Sequence, residues 1–297
     1  MLNVKKVTAK AIERAGNVHP LSDAELASLQ KCLLDISAEL DIVCRKHGIK
    51  MFLVGGSALG ARRHGGFIPW DDDIDFGMSR ADYRKFASIF SDELGDRYFL
   101  RCPNTPWPNA NRFMQIHKKG TVLRTATGTT AEDPECVKID IFPYDYVPSN
   151  AFLCKLKGYY SNFLMFAASC CCSFHYRENE RYLLRSPQGC ILYTLKTVAG
   201  FFLSFRSYLR WFDRVDRFIA SEKETSYVTS ATGRKHYLGE MFPADCFFPL
   251  TEMEFCGHSF YAPRDIDCYL TGLYGANYMQ LPPPETRERH YILNLKL

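Results

Sequence analysis

The sequence lacks the features that mark several common classes of protein. No Cys-x-x-Cys pair occurs among its twelve cysteines, and Cys170, Cys171 and Cys172 lie side by side. This arrangement suits neither a tetrahedral zinc site nor separate disulfides. No signal peptide precedes these cysteines, so we expect mostly buried thiols in a reducing, cytoplasmic setting. The net charge is only +4, which is too small to indicate nucleic-acid binding.

The composition also excludes an unfolded chain. Hydrophobic residues make up 46% of the 297 residues and charged residues 24%, which is ordinary for a globular protein. This length allows one large domain or two domains in close contact. The positive charge is uneven, because residues 151–220 contain ten Lys and Arg against four Asp and Glu.

A glycine turn follows the apolar run at Phe52–Val54. Gly55 and Gly56 would allow the backbone to approach a phosphate closely. A helix opened by Ser57 would point its free N–H groups at that phosphate. Because Gly-Gly more often marks an ordinary turn, this prediction depends on the residues that follow.

Acidic residues enter the next strand-like segment, Trp70–Gly77. Alternation along a strand places Asp71, Asp73 and Asp75 on one face, where three like charges repel each other unless a cation lies among them. Oxygen ligands of this kind suit Mg²⁺ bound to substrate phosphates. An acidic cluster is more often a solvated loop, but the intervening apolar residues, Ile74 and Phe76, favour a strand with one buried face. The two motifs together predict phosphoryl-transfer chemistry.

A second acidic site residue is predicted in the apolar strand Val137–Phe142. Asp140 would be costly to bury there without a partner, which suggests a nearby cation or reacting proton. The alternative is a surface-facing Asp on an edge strand. Lys118 precedes a turn at Gly120 and could reach phosphate, although a solvated turn explains it equally well. This turn also predicts a hairpin between the strand Arg112–His117 and residues 121–124.

Other elements are predicted from local signals. Ser22 and Glu25 form a capping box before a helix that Gly48 ends, and Ser79 caps a helix extending to about Phe90. The segment Arg97–Arg101 alternates as a strand. Two short strands around Gly257, and a helix from Asp265 to Leu273, are predicted near the C-terminal end.

The segment from Gly55 to Asp75 resembles the signature of the LicD family, which comprises phosphocholine transferases related to fukutin-type ribitol-phosphate transferases. Ile139–Pro143 is similar to the family segment that supplies a third active-site carboxylate. The C-terminal pattern Tyr269–Gly275, followed by Tyr278, prolines and His290, is also similar to the family. The resemblance covers about residues 22–148 and 236–291 and implies a mixed-sheet α/β (α+β) nucleotidyltransferase fold flanked by helices.

The resemblance implies a reaction and roles for the site residues. A phosphoryl-substituted alcohol, such as phosphocholine from CDP-choline, would move to a sugar hydroxyl of a glycan such as lipopolysaccharide or teichoic acid. Asp73 and Asp75 would hold Mg²⁺, while Asp140 would bind a second ion or accept a proton. The turn Gly55-Gly56-Ser57 would hold phosphate. Further substrate contacts are expected from Arg62, His64 and Lys118.

We expect four regions in the chain: a leader at 1–21, a catalytic core at 22–150, a helical insert at 151–235, and a segment at 236–297 that packs back on the core. In the insert, Gly158–Tyr176 approaches the length of a membrane span, but its polar residues favour a packed helix. Cys190–Phe212 predicts an amphipathic helix. The basic and aromatic insert suggests peripheral contact with the inner membrane face and a lipid-linked acceptor.

Two other functions fit the same residues. A metal-dependent glycosyltransferase also uses an Asp-x-Asp pair with a nucleotide-diphosphate donor, but its attack falls on a sugar carbon, so the products differ. A non-catalytic, membrane-associated binding module would use the basic aromatic insert and would not bind Mg²⁺.

Overall fold

The first long helix begins at the side-chain cap that the sequence predicts. In the computed structural model, which describes residues 19–103, 112–125, 135–177, 180–204, 209–284, 287 and 291–297, helix α1 spans Asp23–Lys46. The Ser22 side chain accepts a hydrogen bond from the Glu25 backbone, and the Glu25 carboxylate accepts one from the Ser22 N–H at 2.9 Å. The capping box is therefore confirmed. Most of the predicted leader, residues 1–18, lies outside the described residues.

A mixed sheet forms the centre of the fold. Its strands are β2 (Met51–Leu53), β3 (Asp75–Ser79), β4 (Tyr98–Arg101), β5 (Met114–Lys118), β7 (Lys138–Tyr146), β8 (Tyr227–Thr229), β9 (Met241–Pro243), β10 (Thr251–Phe255) and β11 (His258–Ala262). The main path of the sheet has the strand order β10–β11–β2–β3–β7–β5–β4, and β8 and β9 extend it from the end of β7. Strand β3 runs parallel to β7, while β2 and β5 are antiparallel to their inner neighbours. The α/β fold class predicted from the sequence is confirmed.

Helices cover one face of this sheet, and aromatic residues from the C-terminal half cover the other. Helix α1 contacts β7, and helix α3 (Arg80–Leu94) contacts β3 and β7. On the other face, the Phe52 ring lies 5.2 Å from Tyr144 and 5.9 Å from Phe247, centroid to centroid. The remaining helices are α2 (Gly55–His64), α3 (Arg80–Leu94), α4 (Ala151–His175), α5 (Pro187–Leu203), α6 (Leu209–Ile219), α7 (His236–Gly239), α8 (Ala244–Phe247) and α9 (Ile266–Tyr274).

The predicted hairpin at Gly120 is wrong. Strand β6 (Val122–Thr125) follows the turn, but it leaves the main sheet and pairs with β12 (Tyr291–Lys296). Strand β1 (His19–Pro20) adds to the other side of β12. Gly120 has a positive φ of 82°, so it forms the expected turn, but that turn does not determine which strand pairs with β6.

A buried ion-pair network joins the helical insert to the sheet. Arg80, at the start of α3, donates to the Asp145 carboxylate on β7 at 2.8 and 2.6 Å and to Asp216 on α6 at 2.7 Å. Burial opposes the charge on Arg80, but the two carboxylates more than offset it and raise its pKa. Asp145 also accepts from the Ser221 N–H at 2.8 Å. One arginine therefore connects three separate segments.

Residues 151–219 contain α4, α5 and α6. The helix predicted over Cys190–Phe212 corresponds to α5, which ends at Leu203, and to the start of α6, while residues 205–208 lie outside the described residues. A short 3₁₀ helix, Arg181–Arg185, lies between α4 and α5. Among the described helices, none combines the length and the apolar content needed to cross a bilayer. All twelve cysteines are free, and most of them are buried, as the sequence predicts.

Candidate active site

A cleft of about 730 Å³ opens where the start of α2, the acidic segment and the C-terminal half of the chain meet. Its acidic wall contains Asp71, Asp73 and Asp75. Residues 230–240 and the segment around α9 also line this cleft. The acidic motif and the C-terminal pattern, about 200 residues apart in the chain, therefore border one cavity.

The glycine turn lies directly against the carboxylates. A Cβ atom on Gly55 would lie 3.1 Å from Asp75 Oδ2, and one on Gly56 would lie 3.0 Å from Asp71 Oδ2. Gly55 also has a φ of 54°, a conformation that side chains rarely adopt. Its N–H donates to the Tyr269 hydroxyl at 2.8 Å. The two glycines therefore let the helix start approach the acids closely.

Ser57 has a different position from the one predicted. Helix α2 begins at Gly55, with Val54 as its cap, so Ser57 does not open the helix. The Ser57 side chain is buried, and its hydroxyl accepts a hydrogen bond from the Asp75 N–H at 2.7 Å. Ser57 therefore holds the first residue of β3 against the glycine turn.

The acidic residues do not all belong to one strand, which corrects the predicted alternation. Strand β3 starts at Asp75, so Asp71 and Asp73 precede it in a segment without regular secondary structure. One carboxylate oxygen from each of Asp71, Asp72 and Asp73 lies within 4.8 Å of the other two. Because Asp71, Asp73 and Asp75 also line the cleft, the predicted acidic surface exists, with Asp72 as an additional member.

Asp140 lies beside Asp75, on the same face of the sheet. The two residues are register partners on the parallel strands β3 and β7. Asp140 accepts a hydrogen bond from Gln115 Nε2 at 2.8 Å. Since β7 lies between β3 and β5, the alternative of an edge strand is wrong. Asp140 is not among the described residues that line the cleft, although its register partner Asp75 is.

The acidic cluster has the chemistry of a site for a divalent cation. Burial, followed by the charges of Asp73, Asp140 and Asp71, raises the pKa of Asp75 well above its usual value. So many carboxylates repel each other, and a hard cation with oxygen ligands would relieve that repulsion. The donor set therefore fits the Mg²⁺ that the sequence suggests; Asp71, Asp73 and Asp75 would be its ligands, with Asp72 beside them.

Three predicted substrate contacts are not brought to the cleft. The exposed Arg62 forms an ion pair with Asp267 at 2.9 Å, and the exposed His64 accepts from Arg63 Nε at 3.0 Å. Lys118 is three residues beyond Gln115, the register partner of Asp140, and so faces the other side of the sheet.

The Lys118 side chain lies on the face of the sheet that α1 covers, because its Nζ is 3.7 Å from Cys32 Sγ on that helix. Sequence analysis found the basic residue but not the face of the sheet to which its side chain belongs.

Several cleft residues were missed or not assigned a role. Arg63 lines the cleft and donates to the Tyr278 carbonyl at 3.1 Å, while the Arg287 guanidinium lies 4.1 Å from the centre of the Trp70 ring. Arg63 is within the quoted signature, and Tyr278 is within the C-terminal pattern, so a signal existed for both. The basic residues that line the cleft are Arg63, Arg234, Lys235 and Arg287.

Arg234 and Lys235 are positioned by a buried carboxylate. Glu240 accepts a hydrogen bond from the Lys235 N–H at 2.7 Å. A Cβ atom on Gly233 would lie 2.1 Å from Glu240 Oε2, so the glycine lets the carboxylate approach this turn closely. The turn therefore presents two cations to the same cleft that the acids line, which suits an anionic substrate bound through a metal.

Comparison with known proteins identifies relatives of this chain. Residues 48–188 match the family model described as LicD/FKTN/FKRP, nucleotidyltransferase domain. The chain is 26% identical over 280 residues to the lipopolysaccharide cholinephosphotransferase LicD of Haemophilus influenzae, covering 90% of this chain and 96% of that protein.

It is also 44% identical over 48 residues to the ribitol 5-phosphate transferase FKRP of human and mouse, which covers 16% of this chain and 10% of those proteins. These named relatives are transferases, in agreement with the predicted enzyme class. The cleft residues Gly55, Gly56, Asp71, Asp73, Asp75 and Phe142 all lie within the matched range. Residues 48–188 of the chain therefore match the nucleotidyltransferase domain of the LicD family, which confirms the resemblance that the sequence predicts.

Proposed function

We propose that the protein transfers a phosphoryl-substituted alcohol, phosphocholine from CDP-choline in the first instance, to a sugar hydroxyl of a cell-surface glycan such as lipopolysaccharide or teichoic acid. One observation supports this most strongly. A glycine turn and several carboxylates form one wall of a single cleft, and four basic side chains also line that cleft. Similarity to a lipopolysaccharide cholinephosphotransferase over nearly the whole chain supports the choice of donor and acceptor.

The carboxylates would hold one or two Mg²⁺ ions. Such ions neutralise charge on the donor phosphates and on the leaving group. Arg63, Arg234, Lys235 and Arg287 would bind the remaining phosphate charge and orient the donor. The Gly55 N–H is bonded to Tyr269 Oη, so the next N–H groups at the start of α2, those of Gly56 and Ser57, would be the ones to bind a phosphate oxygen.

Asp140 would assist the acceptor. A sugar hydroxyl attacks phosphorus more readily when a neighbouring carboxylate accepts its proton. Asp140, held by Gln115 and adjacent to Asp75, is the residue for this role if its carboxylate is not used as a further metal ligand.

The reaction can be tested with purified protein, Mg²⁺ and a panel of cytidine diphosphate donors. We expect release of CMP with CDP-choline, stimulated by a glycan acceptor and abolished by EDTA, because the cluster of carboxylates needs a cation. Transfer of a sugar from a nucleotide-sugar donor would instead indicate a glycosyltransferase. Failure to release CMP from any donor, with or without acceptor, would contradict the proposal.

Replacing Asp140 by Asn tests the third carboxylate. The amide can still accept from Gln115, so we expect a folded protein with an unchanged melting temperature. We also expect turnover to fall by about a hundredfold, since the amide neither neutralises a cation nor accepts a proton. The matched control is Asp92→Asn, which removes an exposed carboxylate on α3. Equal CMP release by the two variants would show that Asp140 has no part in the reaction.

A reducing, cytoplasmic setting is proposed for this reaction. The twelve cysteines are free thiols, and Cys256 is exposed, a state that reducing compartments maintain. Cytidine diphosphate donors are also made in the cytoplasm.

A further inference from the structure

Two helices of the insert expose an unusual amount of apolar surface. On α4 the exposed fractions reach 73% at Phe152 and 58% at Phe166, and on α5 they reach 64% at Leu195 and 68% at Phe202. On each helix, most of these residues recur at the spacing of one helical face. We call this surface the α4–α5 face; it comprises Phe152, Leu153, Leu156, Tyr159, Tyr160, Phe163, Phe166, Ile191, Leu195, Val198, Phe201 and Phe202.

The inner sides of the same helices contain small residues. Gly158 packs on Leu238, where a Cβ atom would come within 2.5 Å of Leu238 Cγ. Gly200 faces the α4 backbone, where a Cβ atom would lie 2.1 Å from the Cys170 carbonyl oxygen. Small residues toward the protein and large apolar residues outward reverse the usual pattern of a water-facing helix and resemble helices that contact lipid.

The exposed residues of the two helices point in the same direction. Phe152, Phe163 and Phe174 are spaced by eleven residues, about three turns, so they share one face of α4. Phe174 contacts Phe201 of α5, with ring centroids 5.7 Å apart, so α5 packs on the end of that face. On α5, Gly200 faces inward, and the exposed stripe that includes Phe202 lies on the opposite side. Both stripes therefore face away from the protein together.

The charge of this region indicates what would cover it. Neither α4 nor α5 contains Asp or Glu, and Lys155 of α4 is exposed. Lys157 donates to the Ile219 carbonyl at 2.9 Å, and Lys196 pairs with Glu180 of the connecting segment at 3.4 Å. The same connecting segment exposes three arginines: Arg177, Arg181 and Arg185. A large apolar surface with basic flanks is complementary to an anionic bilayer, where apolar residues enter the interfacial region and cations bind headgroups. Tyr159 and Tyr160 are residues typical of that interface.

We propose that the α4–α5 face binds the surface of a bilayer containing anionic phospholipid, with both helices lying along the membrane. This goes beyond the proposed transferase reaction, which needs no membrane, and it does not depend on it. The position is relevant to the cleft, because Leu238, the partner of Gly158, lies between the cleft residues Lys235 and Glu240. The bilayer would be separated from the cleft wall by the thickness of one helix, about 10 Å.

Sedimentation with vesicles tests this proposal on the full chain. The probes are vesicles of phosphatidylcholine alone and of phosphatidylcholine mixed with phosphatidylglycerol. We expect binding to the anionic vesicles that weakens as salt is raised, because screening reduces the headgroup attraction. Phe163→Glu and Leu195→Glu should each reduce the apparent affinity by about tenfold or more, since burial of a large apolar side chain is lost.

The matched control is Ile42→Glu. Ile42 is 69% exposed and lies on α1, outside the α4–α5 face. Its replacement exchanges a large apolar side chain for a carboxylate, as Phe163→Glu and Leu195→Glu do, but should leave vesicle binding unchanged. Circular dichroism would verify that all variants fold. Phe163→Trp provides a direct readout, because its fluorescence should be quenched by brominated lipid only if the face enters the bilayer.

Three results would overturn the proposal. The first is that the wild-type chain fails to bind anionic vesicles. The second is that Phe163→Glu and Ile42→Glu bind equally. The third is that light scattering shows a dimer which Leu195→Glu dissociates, since the face would then be covered by a second copy of the chain.

Discussion

Asp75→Asn is expected to lower CMP release by about a hundredfold or more while leaving the protein at least as stable as the wild type. The side chain is partly buried beside the carboxylates of Asp71, Asp73 and Asp140, and the pKa of Asp75 is raised mainly by burial and then by those charges. An amide of the same shape removes this repulsion, so the melting temperature in EDTA should not fall. Activity should fall because a metal ligand is lost.

Metal binding provides a second readout for the same variant. A cation that binds only the folded state raises its stability, so Mg²⁺ should increase the melting temperature of the wild type. The increase should be smaller for Asp75→Asn and unchanged for the control, Asp92→Asn. If the Asp75→Asn enzyme were active and had a normal Mg²⁺ response, Asp75 would not be a metal ligand of the site.

Arg80→Leu is expected to destabilise the protein by roughly 3–5 kcal/mol, the usual effect of breaking a buried ion pair. Its guanidinium contacts Asp145 and Asp216, and all three side chains are almost completely buried. Without the arginine, two carboxylates would remain buried without their cation. The free energy of unfolding, measured by urea titration, should show the loss.

A neighbouring arginine provides the control. Arg84 lies one turn along α3 and pairs with Glu222, but both side chains are largely exposed, so Arg84→Leu should cost about 1 kcal/mol at most. Replacing Asp145 and Asp216 by Asn in the Arg80→Leu background should restore part of the stability, because the uncompensated charges disappear. Equal effects of Arg80→Leu and Arg84→Leu would show that the buried network does not stabilise the fold.

Elements with local signals could be predicted from the sequence. The capping box at Ser22 and the cap at Ser79 each act within four residues, and both helices start where these caps place them. The strand containing Asp140 was also predicted, because a run of apolar residues identifies a central strand without knowledge of its partners. The spacing of Asp71, Asp73 and Asp75 also indicated that they lie together, although only Asp75 belongs to a strand.

Features that depend on distant residues could not be predicted in the same way. Strand β6 pairs with β12, more than 160 residues later, and nothing near Gly120 specifies that partner. The position of Lys118 depends on the register of β5 against β7, because a shift of one residue would move its side chain to the other face. Arg234 and Lys235 reach the cleft through a turn held by Glu240, which has no signature of its own.

The hydrogen bond from the Gly55 N–H to Tyr269 Oη determines when the cleft can form during synthesis of the chain. The glycine turn and the acids are synthesised early, but the tyrosine follows 214 residues later. A ribosome that has released residues up to the acidic segment has therefore produced the acidic wall without the residues of α9 that border the same cleft. The cleft can assemble only after α9 has emerged and the Gly55 N–H can reach Tyr269.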